Sequence, residues 1–302
     1  MKRAVAAARK RGVGSLMSRA CRARRASERR RGSGRLSARA GVRSALAELV
    51  KQGQAVDFLL LNAGLVPTTK RVVTAAGVEA SEAPLIGHHQ LTVGLLRADL
   101  LSPDARIVIT SAEPARGGVP MFKYTDLRDF AAKSYQGNRT AAVEALIRNG
   151  PNLKYAPNNA YADAKLIIAW WVAALARRLP SDMAVYAVSP GASNDTKVAR
   201  NAGPLLKYLM IPIVNLIPGM NQTPETAARR YLQASEFGTD VSGQFFASAQ
   251  GKFSGPMKVQ RQPSTIAPAR KLRGRPWSRS PASTCLTQPL CARRTLTKFC
   301  TK

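Results

Sequence analysis

The sequence predicts an α/β protein built on a doubly wound, parallel sheet, and three observations carry that prediction. A short, almost wholly apolar run at 56–61 suits a strand buried on both faces, and 106–110, 184–189 and 243–248 are further short runs that read as strands. Longer segments with helical apolar spacing stand between them, and strands that alternate with helices imply βαβ units. The first three runs end on small or turn-forming residues, Asn62-Ala63-Gly64, Ser111 and Pro190-Gly191. In open α/β sheets ligands bind beyond those carboxyl ends.

Taken in order, a helix is expected over 42–52, with Leu46, Leu49 and Val50 on one side and Gly53 as its C-cap. Strand 56–61 follows. Residues 82–100 read as a helix with Ile86, His89, Val93, Leu96 and Leu100 at helical spacing, leading into strand 106–110. The long stretch 122–157 is read as an insert with a helix over 140–148, placed as a lid on the substrate side. A long helix over 158–178, strand 184–189, helix 223–235 and strand 243–248 complete the series.

Of the 302 residues, 47 are Lys or Arg against 17 Asp or Glu, a net charge of +30. Such a value alone suggests a polyanion binder. Its location argues otherwise. Residues 1–43 carry 15 basic groups and one acid, Glu28, and residues 252–302 carry 12 basic groups and no acid. The stretch between them is only mildly basic. The expected organisation is a basic, low-order segment 1–41, a folded domain 42–250 and a basic, disordered tail 251–302. The head fits a mitochondrial-type transit peptide, a nucleic-acid arm or a stretch never selected to fold. Both ends also look like translation of a GC-rich gene in a wrong frame. Cys21, Cys285, Cys291 and Cys300 all lie in the ends, so no disulfide framework or Cys-based metal site is expected in the body. No run reaches the ~18 apolar residues of a membrane span, and a cytoplasmic protein is expected, with a mitochondrial one as the alternative.

The long helix contains Tyr161-Ala162-Asp163-Ala164-Lys165. Tyr and Lys one turn apart share a helix face, and an ammonium near the phenol is expected to lower its pKa toward a value useful for general acid/base work. An ordinary surface pair is the alternative reading. Trp170 and Trp171 lie on the apolar part of the same helix and read as core or subunit packing. His88 and His89, the only histidines, read as structural. No metal site is expected.

Together, Asn62-Ala63-Gly64 after a buried strand, Ser111 after the next, Tyr161-x-x-x-Lys165 on a helix and Pro190-Gly191 after a further strand resemble the short-chain dehydrogenase/reductase family over residues 42–250. The resemblance implies a Rossmann-like fold and hydride transfer between a nicotinamide cofactor and a carbonyl/alcohol pair. By it, Tyr161 is the acid/base, Lys165 lowers the Tyr161 pKa and binds the nicotinamide ribose, and Ser111 orients the substrate oxygen. Asn62, Ala63 and Gly64 let the backbone approach the cofactor, Pro190 and Gly191 shape the nicotinamide pocket, and Thr196 reaches the carboxamide. Ala112 is the alternative counterpart of the family serine. The family's Gly-rich fingerprint has its best counterpart in residues 7–14, which keep Gly12 and Gly14 but lack the first glycine. Too few residues separate Gly14 from Asn62 for the strands and helix expected there, so the sheet is expected to be incomplete at its N-terminal side. Pro84 stands where the family places an Asn that supports a proton relay.

The leading expectation is therefore an NAD(P)-dependent oxidoreductase, with NADP favoured by basic surroundings, acting on a small carbonyl or alcohol. A family-derived chain that has lost cofactor binding is the alternative, and a nucleic-acid binder is the third reading. The apolar run 166–176 exceeds what one helix face needs against its own sheet, so a homodimer or tetramer is expected.

Overall fold

The computed structural model describes residues 39–192 and 222–260. Among the described residues five strands form one sheet: β1 (Val56–Leu61), β2 (Leu101–Thr110), β3 (Ala184–Val188), β4 (Phe245–Ala247) and β5 (Lys258–Gln260), in the spatial order β1-β2-β3-β4-β5. The first four pair in parallel and β5 joins antiparallel. Six α-helices are seen among the described residues: α1 (Arg39–Gln52), α2 (Ala83–Arg97), α3 (Leu127–Tyr135), α4 (Arg139–Arg148), α5 (Pro157–Ala176) and α6 (Pro224–Ser235).

Local chemistry fixes the helix ends. Asp126 accepts from the Arg128 and Asp129 amides to cap α3, Asn138 from Ala141 to cap α4, and Thr223 from Thr226 to cap α6. Proline occupies the first turn of α2, α5 and α6, where no amide partner is needed. Gly53 follows α1 at φ +61°, and its amide closes onto Leu49 O and Val50 O, the left-handed cap the sequence predicts.

The period-two alternation of the strands divides the core. Ile107, Ile109, Val185 and Ala187 face a large cluster built with α2, α3, α4 and α5, against which Leu46 and Leu49 of α1 pack. Val108, Ala184, Tyr186 and Val188 face the other side, where Tyr231 and Ala234 of α6 meet them with Phe246. Helices thus cover both faces, as predicted. Among the described residues β1 is an edge strand, and Leu60 is 39% exposed there. A reversal of strand order would have to come from strands beyond that edge. No helix among the described residues is long and apolar enough to cross a membrane.

Three expectations need correction. Strand β2 begins at Leu101, earlier than its apolar run, because Val56 pairs with Leu101 while Phe58 pairs with Arg106; residues 102–105 bulge out, and Pro103 and Asp104 hide the strand from its pattern. The sheet also extends past residue 250, since β5 pairs with β4 and the Gln260 side chain donates to Ala247 O and Ser248 O. The insert is a wall of the core and not a lid: Leu127, Phe130, Val143, Leu146 and Ile147 are buried in the same cluster as α5. That wall accounts for the surplus apolar length of α5, whose Leu166, Ile167, Trp170 and Trp171 are buried within the chain.

Candidate active site

Helix α5 begins at Pro157, so Tyr161 projects from its second turn and Lys165 one turn later. Lys165 is buried, with its ammonium 5.5 Å from the centre of the Tyr161 ring and donating to Thr110 O at 3.2 Å. A Cβ added to Gly64 would stand 3.5 Å from Lys165 Nζ, so the exit of β1 passes directly beside that cation. The Thr110 hydroxyl donates to Asn62 Oδ1 at 2.8 Å and lies 3.0 Å from the Tyr231 phenol oxygen. Tyr161 is half-buried and meets the edge of Phe122, with ring centres 6.1 Å apart. The structure therefore brings Tyr161, Lys165, Asn62 and Gly64 together at the carboxyl ends of β1 and β2, with Ala63 between the last two.

Ser111 is adjacent but faces elsewhere. Its hydroxyl is buried and donates to the backbone carbonyl of Lys165 at 3.4 Å, while its amide donates to Val188 O. Residues alternate sides along β2, and Ser111 falls on the α5 side with Ile107 and Ile109. The oxygen assigned to substrate is therefore turned into the interior.

The electrostatics also depart from expectation. Burial pushes the Lys165 ammonium down to about 8, with the Glu82 carboxyl pulling the other way. The Tyr161 phenol lies above its ordinary value and not below it: burial raises it first, then the negative charge of Glu113 and the phenol of Tyr231. The ammonium sits over the ring face, a cation–π placement, with a proton committed to Thr110 O. Asp163 is raised to about 7 by burial, opposed by the Thr125 amide and hydroxyl, which donate to its two oxygens at 2.6 and 2.9 Å. That pair fastens the segment carrying Phe122 to α5.

Around the first turn of α2 lie further buried polar groups. Glu82 is raised well above the carboxylate range by burial, then by Glu79 and Asp163, and neither of its oxygens has a hydrogen-bond partner among the described residues. His88 is lowered to about 4 by burial and then by Lys165, and stays neutral. His89 is lowered to about 4 by burial, then by Arg97, and its Nδ1 accepts from the Trp171 indole at 3.1 Å. Both histidines belong to the packing of α2 on the core.

The end of β3 is built separately. Gly191 has φ +78°, where a Cβ would meet Phe253 O at 2.5 Å, Gln222 Nε2 at 2.6 Å and Arg230 Nη1 at 3.0 Å, so only glycine fits. Ala192 N donates to Phe253 O at 2.9 Å, and Gln222 Nε2 donates to Pro190 O. Beneath this turn is an ion pair that no sequence motif announces: Glu113, from the one-turn 3-10 helix Glu113–Arg116 after β2, and Arg230 of α6, with Nη1 3.7 Å from Oε1. Arg230 lies on the buried face of α6 with Ala227, Tyr231 and Ala234, a spacing that marks a charge inside an apolar stripe. Thr196, Gly12 and Gly14 lie outside the described residues.

No family profile matches the chain, and no curated protein does. Solved structures are similar to it in part. An uncharacterized protein from Mycobacterium paratuberculosis is 19% identical, with 87% of this chain and 74% of that one covered and a TM-score of 0.48. A short-chain dehydrogenase/reductase from Brucella melitensis is 18% identical, covering 73% and 74%, with a TM-score of 0.48. A 3-alpha-hydroxysteroid dehydrogenase from Pseudomonas sp. B-0831, complexed with NADH, is 21% identical, covering 68% and 78%, with a TM-score of 0.43.

Proposed function

We propose that the chain is an NAD(P)-dependent oxidoreductase that interconverts a carbonyl and an alcohol, with Tyr161 as its acid/base. The observation that carries the reading is the convergence of Tyr161, Lys165 and Gly64: a phenol and an ammonium on one helix face, beside a strand exit that has no side chain at Gly64. The described residues fit the nicotinamide-ribose end of a dinucleotide. Lys165 Nζ would hold the ribose, the exposed backbone of Asn62-Ala63-Gly64 would admit it closely, and Pro190-Gly191 would border the ring. Bound there, the nicotinamide supplies or accepts the hydride.

Tyr161 carries its proton at neutral pH and would donate it to a carbonyl oxygen during reduction, although burial and the charge of Glu113 hold the phenol above its ordinary value and so oppose that transfer. Below about pH 8 Lys165 is an ammonium, and its charge stabilises the phenolate that remains. Ser111 supports this arrangement by holding the Lys165 backbone. NADP is the preferred cofactor in this reading, and a small carbonyl compound the substrate.

The test is a fluorescence titration of the protein with NADPH and NADH, with Tyr161→Phe alongside in a turnover assay. Saturable binding in both proteins, with turnover at least ~100-fold lower in the variant, is the expected result. A folded protein that binds neither nucleotide would favour a family-derived chain without catalytic activity, the reading that the inward-facing Ser111 hydroxyl supports.

A further inference from the structure

The ends of β2, β3 and β4 are tied together by the buried Glu113–Arg230 pair. Each residue is at most 5% exposed, so neither can reach a bound ligand. Arg230 spends its guanidinium on three places: Nη1 donates to Ser189 O at 3.0 Å, and Nη2 donates to Ser248 Oγ at 2.8 Å and Gly255 O at 2.7 Å. Glu113 accepts the Ser189 hydroxyl proton at 2.5 Å and lies 3.3 Å from Ser248 Oγ. With its proton fixed on the carboxylate, Ser189 Oγ presents a lone pair to the Gly191 amide at 3.1 Å. Alongside, Arg116 donates to Ser248 O at 2.6 Å and Lys252 O at 3.0 Å.

A buried ion pair is a poor source of stability, because desolvation offsets the attraction and apolar residues of equal volume often do as well. What this pair supplies is direction. An anion can only accept and a guanidinium only donate, so the Ser189 hydroxyl and the Gly191 amide have one consistent orientation. The 3-10 turn holding Glu113 also packs on α5, which carries Tyr161.

We propose that Glu113 and Arg230 are positioning residues that fix the Pro190-Gly191 turn relative to Tyr161, so that nucleotide affinity depends on them although both are sealed from the ligand. The statement about affinity rests on the oxidoreductase reading; the statement about the turn does not.

The test uses the full chain, with Glu113→Gln and the double variant Glu113→Gln/Arg230→Met. The double variant leaves no unpaired buried charge, and it decides the question where the single variant fails to fold. Amide hydrogen exchange is followed at Gly191 and Ala192 and, as a control, at the centre of β2 and β3. Exchange at the turn that quickens at least ~10-fold while the control amides keep their rate is the expected result. Equal changes at turn and control, or none, would overturn the proposal and leave the pair a general element of the core. Where the unaltered protein binds NADPH, the variants' KM for it rises about tenfold with kcat within about threefold; a fall in kcat alone counts against positioning of the turn. Absence of nucleotide binding in the unaltered protein would remove the oxidoreductase reading, while the exchange comparison still decides the role of the pair.

Discussion

The Ser111 hydroxyl donates to the backbone carbonyl of Lys165 at 3.4 Å, from a position 1% exposed. A serine that polarised a substrate would instead present its oxygen to the half-buried face of Tyr161. The long, buried bond makes Ser111 a brace for the helix turn that holds the ammonium.

Ser111→Ala is therefore expected to lower stability by roughly 1 kcal/mol, the net value of one neutral hydrogen bond. Turnover is expected to fall by less than about 10-fold, against the ~100-fold or more that loss of an oxyanion-stabilising donor produces. Thermal melting and kcat of the variant check both numbers. A loss of 100-fold at unchanged stability would place the hydroxyl on the substrate after all.

Lys165 carries a pH signature that separates it from a surface lysine. It gives up its proton near pH 8 in the folded protein and near 10.5 when unfolded. Between those values the unfolded chain holds more protons, so this group makes stability rise with pH across the window 8 to 10.5. Below pH 8 the buried cation carries its full penalty, on the order of 3 kcal/mol. Lys165→Met is expected to melt higher than the parent at pH 7, with the difference closing by about pH 10.5, as Thr110 O loses its donor in the variant at every pH. Melting curves of both proteins at pH 7, 9 and 10.5 would show it, and a difference that does not vary with pH would refute it.

Much of this layout is legible in the sequence for a simple reason. The strands at 56–61 and 184–189 and the helices at 42–52 and 158–178 bury repeated apolar faces, and periodicity reports burial directly. Tyr161 and Lys165 are legible as a pair because one helix turn sets their spacing. The direction of the Ser111 hydroxyl is not, since a neighbouring strand position reverses the face and nothing local shows which side the site occupies. The Glu113–Arg230 pair joins residues far apart in the chain. Its trace is Arg230 on the stripe with Ala227, Tyr231 and Ala234, a charge that requires a buried partner without naming it. The insert was legible as a helix at 140–148 but not as core, because its apolar residues have partners only once α5 is in place.

His88 is expected to limit stability in acid. It is held neutral with a pKa near 4, against 6.5 unfolded. Between these values the unfolded chain binds more protons, so its contribution is present above pH 6.5 and is lost as pH falls through 4, by about 3 kcal/mol. His88→Asn, which has no such proton to accept, is expected to melt lower than the parent at pH 7 and to lose less on going from pH 6.5 to 4. Parallel slopes in that interval would mean that His88 is not sealed from water.

Gly191 offers the sharpest separation of turn from helix. Its φ of +78° is a conformation that side chains resist, and an added Cβ would crowd Phe253 O, Gln222 Nε2 and Arg230 Nη1 together. Gly191→Ala is therefore expected to destabilise the fold by roughly 2–5 kcal/mol, the left-handed backbone penalty together with the cost of overpacking. Gly53, at φ +61° with nothing within 4 Å of an added Cβ, provides the control: Gly53→Ala bears the backbone penalty of about 1 kcal/mol without the crowding. If Pro190-Gly191 borders the nicotinamide, Gly191→Ala weakens NADPH binding by at least about tenfold while Gly53→Ala leaves it within about twofold. Melting and NADPH fluorescence titration of the two variants together make the comparison. Equal affinities in both would move the nicotinamide away from the end of β3.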